Sequence, residues 1–166
     1  TYDKIHMFDV EVSEAETYNA SSGYAPGDQA VLADAGFAKV GLSICYDLRF
    51  PHLFRTLAKA GADILLVPSA FSLVTGAAHW ETLLRARAIE TGCFVLAAAQ
   101  VGTHTAQAGK ARKTYGHSLA ISPWGAVLAD AGIEQGVTLV DFDTDDVSKA
   151  RKRIPALTHD RPFGDP

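Results

Sequence analysis

Cys45 ends an apolar run, Val40-Gly41-Leu42-Ser43-Ile44-Cys45, and directly precedes the polar stretch Tyr46-Asp47-Leu48-Arg49-Phe50-Pro51. Such a run reads as a buried strand that ends in a turn, with a proline-opened helix behind it. A thiol at that bend stands where a helix N-terminus favours its anion and leaves it open to a substrate. The chemistry on offer is nucleophilic: attack of a thiolate on an electrophilic carbon to form a covalent intermediate. A free thiol, with a pKa of about 8.5, is mostly protonated at neutral pH and needs such activation. On these residues alone a buried structural cysteine fits equally well.

The other chemistry-bearing side chains give weaker signals. Glu81 and Glu90 lie among Arg85 and Arg87, a spacing that reads as charge pairing along a helix surface. His79 and His117 lack metal-ligand spacing with other His, Cys or carboxylates, so no metal and no cofactor is expected. Cys93 lies in an apolar strand and reads as core, and Trp124 reads as packing in a turn. No glycine loop suits a phosphate.

Those residues need elements to position them. Val40 to Cys45 is the first clear strand; Pro51 suits the first turn of a helix carrying Leu53, Phe54 and Leu57, with Gly61 at its stop. Ile64 to Pro68 is a continuous apolar strand of the kind covered by helices. The spacing Trp80, Leu83, Leu84, Ala88 predicts a helix from about Ala77 to Thr91, ended by Gly92, and Phe94 to Ala99 is the next strand. Strand, helix, strand, helix, strand is an α/β pattern with crossovers. Beyond Gly102 the chain predicts a polar surface loop over His104 to Lys113, then strands Ser118 to Ser122 and Ala126 to Ala129 around a turn at Pro123-Trp124-Gly125. Val137 to Phe142 alternates as a further strand. Thr144 is the expected N-cap of a last helix with Asp145 and Asp146 early and Lys149, Arg151, Lys152 and Arg153 late, an order that suits the helix dipole. Pro155 stops it, and an extended tail follows.

The chain has 166 residues, the length of one domain, and no linker or repeat divides residues 1–166. Fifteen basic and nineteen acidic side chains are interspersed, for a net charge of −4. There is no basic stripe for nucleic acid, and no apolar stretch of membrane-spanning length. Two cysteines make a disulfide framework unexpected, and with no leader pattern the expected location is the cytoplasm. Thr1 to Phe8 starts abruptly in an apolar-alternating segment, as if cut mid-strand.

At this level the chain resembles the nitrilase superfamily of carbon–nitrogen hydrolases, in its omega-amidase-like and Nit-type branch. The resemblance is carried by Lys4-Ile5-His6-Met7-Phe8-Asp9 and by Gly41 through Pro51. It continues in Pro68-Ser69-Ala70-Phe71, His79-Trp80, Arg85 through Glu90, and Gly116-His117-Ser118 running into Pro123-Trp124-Gly125. These stretches follow in family order along essentially the whole chain. The resemblance implies an α/β fold of the α-β-β-α sandwich type, with the N-terminal portion absent, and association into a homo-oligomer.

It further implies a Glu-Lys-Cys triad in which Cys45 is the nucleophile and Lys4 the catalytic lysine. Lys4 would steady the oxyanion together with the backbone N–H of Tyr46; removing one such donor typically costs about 2.7–4 kcal/mol of barrier. Arg49 and Asp47 would support the elbow or meet a polar or carboxylate end of the substrate, with Phe71 and His79 as further support. The family's general-base glutamate lies well upstream of its lysine, and three residues precede Lys4 here. A second family glutamate, in a Tyr-x-Glu-Ser segment, is replaced by Ala20 in Tyr18-Asn19-Ala20-Ser21. The expected activity is hydrolysis of a small linear amide through a Cys45 thioester, with weak or absent turnover by this chain alone. Alternatives are a nitrilase, an N-carbamoyl amino acid hydrolase, or a non-catalytic remnant that acts only by assembling with another chain.

Overall fold

Three apolar segments with β-branched or aromatic residues build the centre of a six-stranded sheet. The computed structural model describes residues 1–13, 16–105 and 111–164. A hairpin of β1 (Asp9–Ser13) and β2 (Glu16–Asn19) comes first, then β3 (Leu32–Asp34) and β4 (Lys39–Leu42). Helix α1 (Pro51–Lys59), β5 (Ile64–Leu66), helix α2 (Leu73–Thr91) and β6 (Phe94–Ala97) complete the alternating part. The chain ends with β7 (Val101–His104), β8 (Arg112–Tyr115), β9 (Leu119–Ile121), β10 (Val127–Asp130) and α3 (Asp145–Arg153). The sheet order is β10-β9-β6-β5-β4-β3, with β4, β5 and β6 parallel and the outer strands antiparallel to their neighbours. The α/β expectation holds.

Helices α1 and α2 cover one face. Leu53, Phe54 and Leu57 of α1 and Trp80, Leu84 and Ala88 of α2 pack on Leu65, Val67, Val95, Ala97 and Ile121. Full burial of each large side chain is worth about 1.5–3 kcal/mol, so this layer dominates the stability. On the opposite face a smaller cluster joins Ile64 and Phe94 to Val147 of α3. Of the four layers expected for a sandwich, the described residues form one six-stranded sheet with α1 and α2 on one face and α3 on the other, beside two separate two-stranded ladders, β1–β2 and β7–β8.

The helix ends follow local chemistry. Pro51 occupies the first turn of α1, and Gly61 takes the left-handed conformation (φ +101°) just past its end. Helix α2 begins earlier than its apolar spacing predicts, because the Ser72 hydroxyl accepts from the Thr75 N–H at 3.2 Å and caps it. Gly92, at φ +61°, ends it as expected. Thr144 does not cap α3: it is already in helical conformation, and the Asp143 carboxylate accepts from the Asp145 N–H at 2.9 Å.

Three sequence expectations change. The run 137–142 forms no strand among the described residues. It lines one cavity with Leu66 and Leu96 of the sheet, and its backbone joins no ladder. Val137 and Leu139 are consequently about 90% exposed (89% and 91%), while Phe142 packs on Phe94 at 4.4 Å. The expected loop from His104 to Lys113 instead begins and ends in paired strand, with Val101 opposite Tyr115 and His104 opposite Arg112; residues 106–110 lie outside the described set. The tail returns to α1, where Arg55 donates to the Ala156 carbonyl at 2.8 Å and both Arg55 and Lys59 pair with Asp160.

Candidate active site

Strand β4 ends at Leu42, and the two residues after it continue alongside the segment that follows β5 before the chain bends. Ser43 donates from its N–H and hydroxyl to the Leu66 carbonyl (3.2 and 2.7 Å), and the Cys45 N–H donates to the Pro68 carbonyl at 2.9 Å. Cys45 itself has φ +50°, a left-handed conformation that a non-glycine residue holds only when its surroundings enforce it. A 3₁₀ turn, Cys45–Arg49, follows before α1, so the thiol opens that turn and not the proline-led helix. The side chain is half-buried and lines a cavity of about 910 Å³.

That cavity lies beyond the C-terminal ends of the parallel strands, the usual ligand position in such sheets. Ile44 and Cys45 follow β4, Pro68 to Ala70 follow β5, and Ala98 to Gln100 follow β6. Lys4 and Phe8 close it from the N-terminal segment, and Tyr18, Asn19 and Ala20 from the β1–β2 hairpin and the turn after it. Arg112, Ser118 and Gly136 complete the lining. Lys4 and Cys45 therefore meet in one cavity, as the resemblance implies, although 41 positions separate them in sequence. No carboxylate lines it among the described residues.

Asp47 is what brings the two together. It is fully buried, and its carboxylate accepts four hydrogen bonds. Oδ2 takes the Tyr2 hydroxyl (2.6 Å) and the Ile44 N–H (2.8 Å); Oδ1 takes the His6 N–H (3.0 Å) and His6 Nδ1 (2.8 Å). One side chain thus ties the residue before the nucleophile to residues on both sides of Lys4. His6 also stacks on Phe50 at 3.5 Å, and the Lys4 carbonyl accepts from the Gly27 N–H at 2.8 Å. Gly27 is required there, since a Cβ would stand 2.3 Å from the Asp3 carbonyl oxygen. Of the roles open to Asp47 from sequence, the bonds leave it the supporting one.

Burial raises the Tyr2 phenol well above its ordinary pKa, and the bond to Asp47 and the carboxylate's charge push it further in the same direction. A raised pKa means that the fold favours the neutral phenol. The stability it contributes is fully present below pH of about 10 and is lost as pH rises through the higher folded value. Titration followed by phenolate absorbance is expected to resolve one of the five tyrosines as the last to ionise, and Tyr2→Phe to remove that step. Ionisation of all five together would contradict the tie.

The turn after Cys45 is braced from behind. Arg87, buried on α2, donates through Nε and Nη2 to the Leu48 carbonyl at 3.0 and 2.8 Å and pairs with Glu90 at 3.0 Å. Glu81 pairs with Arg85 at 3.3 Å. Both glutamates are charge partners outside the cavity, as their spacing suggests. In the turn, the Cys45 N–H is taken by Pro68 and the Asp47 N–H donates to the Ile44 carbonyl at 3.1 Å. Tyr46 supplies the intervening N–H, while its ring packs against Phe8 and Phe50 at 4.9 and 5.3 Å.

Arg49, Phe71 and His79 do not line the cavity. They form a neighbouring cluster in which Arg49 Nη2 lies 3.3 Å from His79 Nδ1 and its guanidinium 5.8 Å from the Phe71 ring. Phe71 is buried against Trp80 at 4.7 Å, and His79 faces solvent. His117 pairs with Asp130 at 3.0 Å, also away from the cavity. Cys93 is wholly buried, and burial raises its thiol pKa despite opposing bonds and charge from Thr91 and Arg151. Arg112 was the residue missed. Its polar surroundings in sequence read as loop, and only the strand register of β8 places it over the cavity. Among the described residues no group of three or more His, Cys, Asp or Glu could hold a metal ion, and no helix is long and apolar enough to cross a membrane.

Residues 1–152 match the carbon–nitrogen hydrolase family. The chain belongs to that family. As a carbon–nitrogen hydrolase family chain within the nitrilase superfamily, it is 45% identical over 161 residues to a deaminated glutathione amidase of Yersinia enterocolitica, covering 96% of this chain and 55% of the relative. It superposes on the crystal structure of the C. elegans NitFhit protein with a TM-score of 0.82 and 43% identity, over 96% of this chain and 38% of that one. A more distant structure is a mutant of the amidase from Nesterenkonia sp. AN1, which shows the product of Michael addition of acrylamide at its active-site cysteine. There the TM-score is 0.70 and the identity 27%, over 93% of this chain and 56% of that one. The chain spans about half the length of the curated relative it matches.

Proposed function

We propose that this chain carries the nucleophile and the oxyanion-stabilising lysine of an amidase acting on small linear amides of the omega-amidase type. The observation that carries the reading is the meeting of Cys45 and Lys4 in one cavity, held there by a buried carboxylate that serves both. Cys45 Sγ attacks the amide carbon, and negative charge gathers on the carbonyl oxygen. The Lys4 ammonium and the Tyr46 N–H stabilise that charge. The C–N bond then breaks, the amide nitrogen takes up the proton that the thiol gave up and leaves as ammonia, and a thioester remains on Cys45 until water releases the acid and restores the thiol. The left-handed backbone at Cys45 supports this, because it turns the thiol out of the strand into the cavity mouth.

Proton transfer needs a base, typically worth 10²–10⁴-fold. With no carboxylate in the described lining, the base is a water or a carboxylate from beyond these residues. The relatives named amidases favour amide over nitrile chemistry. A second reading, a non-catalytic chain that acts by assembling with another chain, is favoured by the exposed Val137 and Leu139. Denaturing mass spectrometry after incubation with a short amide separates the two. The amidase reading expects a hydroxylamine-labile acyl group, the amide less ammonia, on the Cys45 peptide. Ammonia release with the adduct on another residue, or a chain wholly inert to amides, would contradict it.

A further inference from the structure

The cavity that holds Cys45 carries a second cation whose hydrogen bonding is incomplete. Arg112 enters from β8, donating through Nη2 to the Ala70 carbonyl and lying 5.1 Å from the centre of the Tyr18 ring. Its Nε is buried and is the one buried side-chain nitrogen or oxygen, among the described residues, without a hydrogen-bond partner. Buried guanidinium donors are ordinarily paired, because an unpaired one keeps its desolvation cost and gains nothing in return. Its charge is unopposed too, since Lys4 and Arg112 line the cavity and no carboxylate does among the described residues.

We propose that Arg112 is a specificity residue that receives the free carboxylate of an omega-amido acid while the amide end lies at Cys45. This rests on the reading of Cys45 as the nucleophile of an omega-amidase-type enzyme and adds to it the residue that selects the substrate. The guanidinium is planar and offers its donors in a fork that matches a carboxylate's two oxygens. The Ala70 carbonyl and the Tyr18 ring hold the plane of that fork, so little side-chain freedom is lost when the anion binds. A carboxylate oxygen that displaces the covering groups and accepts from Nε supplies the missing partner. The anion also offsets two cations that share a cavity. Arg49, the arginine that the motif around Cys45 brings forward, lies outside the lining and is occupied with His79 and Phe71.

The test does not need turnover. Cys45 is labelled with iodoacetamide, located by peptide mapping, and protected by increasing glutaramate or by pentanamide, its neutral counterpart of equal chain length. In the parent chain glutaramate is expected to protect at roughly 10–100-fold lower concentration than pentanamide, the range typical of hydrogen bonds to a charged group. Arg112→Gln is expected to remove that advantage while leaving pentanamide protection as it was. Arg112→Lys, which keeps the charge and loses the fork, is expected to recover only part of it. Each variant is referred to its own unprotected rate and checked for folding by circular dichroism.

Equal protection of the parent chain by the two compounds overturns the proposal without any variant. So does an advantage that persists in Arg112→Gln, or protection by both compounds falling together, which marks Arg112 as purely structural. In all those outcomes a hydroxylamine-labile adduct on Cys45 would leave the amidase reading standing. A Cys45 that fails to react at all overturns both.

Discussion

Cys45→Ala is expected to abolish both the hydroxylamine-labile acyl group and whatever ammonia release the parent chain shows with a short amide, because the covalent nucleophile is removed. The effect is large because every later step needs the thioester. Lys4 and the Tyr46 N–H can stabilise only an oxyanion that some nucleophile has created, and no other thiol lines the cavity among the described residues. Stability separates loss of chemistry from loss of fold. Alanine leaves the left-handed residue in place, so the strain is unchanged, and the half-buried thiol is not part of the buried core. Urea unfolding is therefore expected to move by less than about 1 kcal/mol. A Cys45→Ala protein that releases ammonia at the parent's rate would sink the nucleophile assignment.

Asp47→Ala is expected to be the most destabilising single change in the site, at roughly 3–5 kcal/mol, the usual cost of removing one member of a buried charged cluster. Four donors lose their acceptor at once: the Tyr2 hydroxyl, the His6 N–H and ring, and the Ile44 N–H. The damage has a direction. Residues 1–8 contain no helix or strand, and beyond Ile5 on the core and Phe8 against Tyr46 they are held through Asp47, the His6–Phe50 stack and Gly27, so losing the Asp47 ties loosens the stretch around Lys4 first. In hydrogen exchange the variant should lose protection over residues 2–8 well before the sheet opens. Asp47→Asn, which keeps one carbonyl acceptor, should lie between. Unaltered protection over residues 2–8 in Asp47→Ala would mean that the segment is anchored otherwise.

The alternating core was legible because its signals are local: continuous apolar strands, Pro51 at a helix start, Gly61 and Gly92 at helix ends. The site was legible through Cys45 at a bend, but its other members are set by packing that sequence spacing does not encode. Asp47 is two residues from Cys45, yet its role depends on a segment more than forty residues away. Arg112 lies in a polar stretch whose strand pairing with Val101 to His104 is a tertiary fact. The run 137–142 misled for the opposite reason. Its alternation fits a strand, but it pairs with none among the described residues, and an apolar pattern alone cannot form a ladder.

Labelling the native chain with a limiting amount of iodoacetamide, and comparing the two cysteines by peptide mapping, tests the central claim most directly. Cys45 is half-buried in a cavity that Lys4 also lines, whereas Cys93 is sealed in the core with its thiol pKa raised. The account predicts that Cys45 reacts faster by on the order of 100-fold, and that Cys93 reacts only after denaturation. Equal labelling of both, or a Cys45 as inert as Cys93, would contradict it.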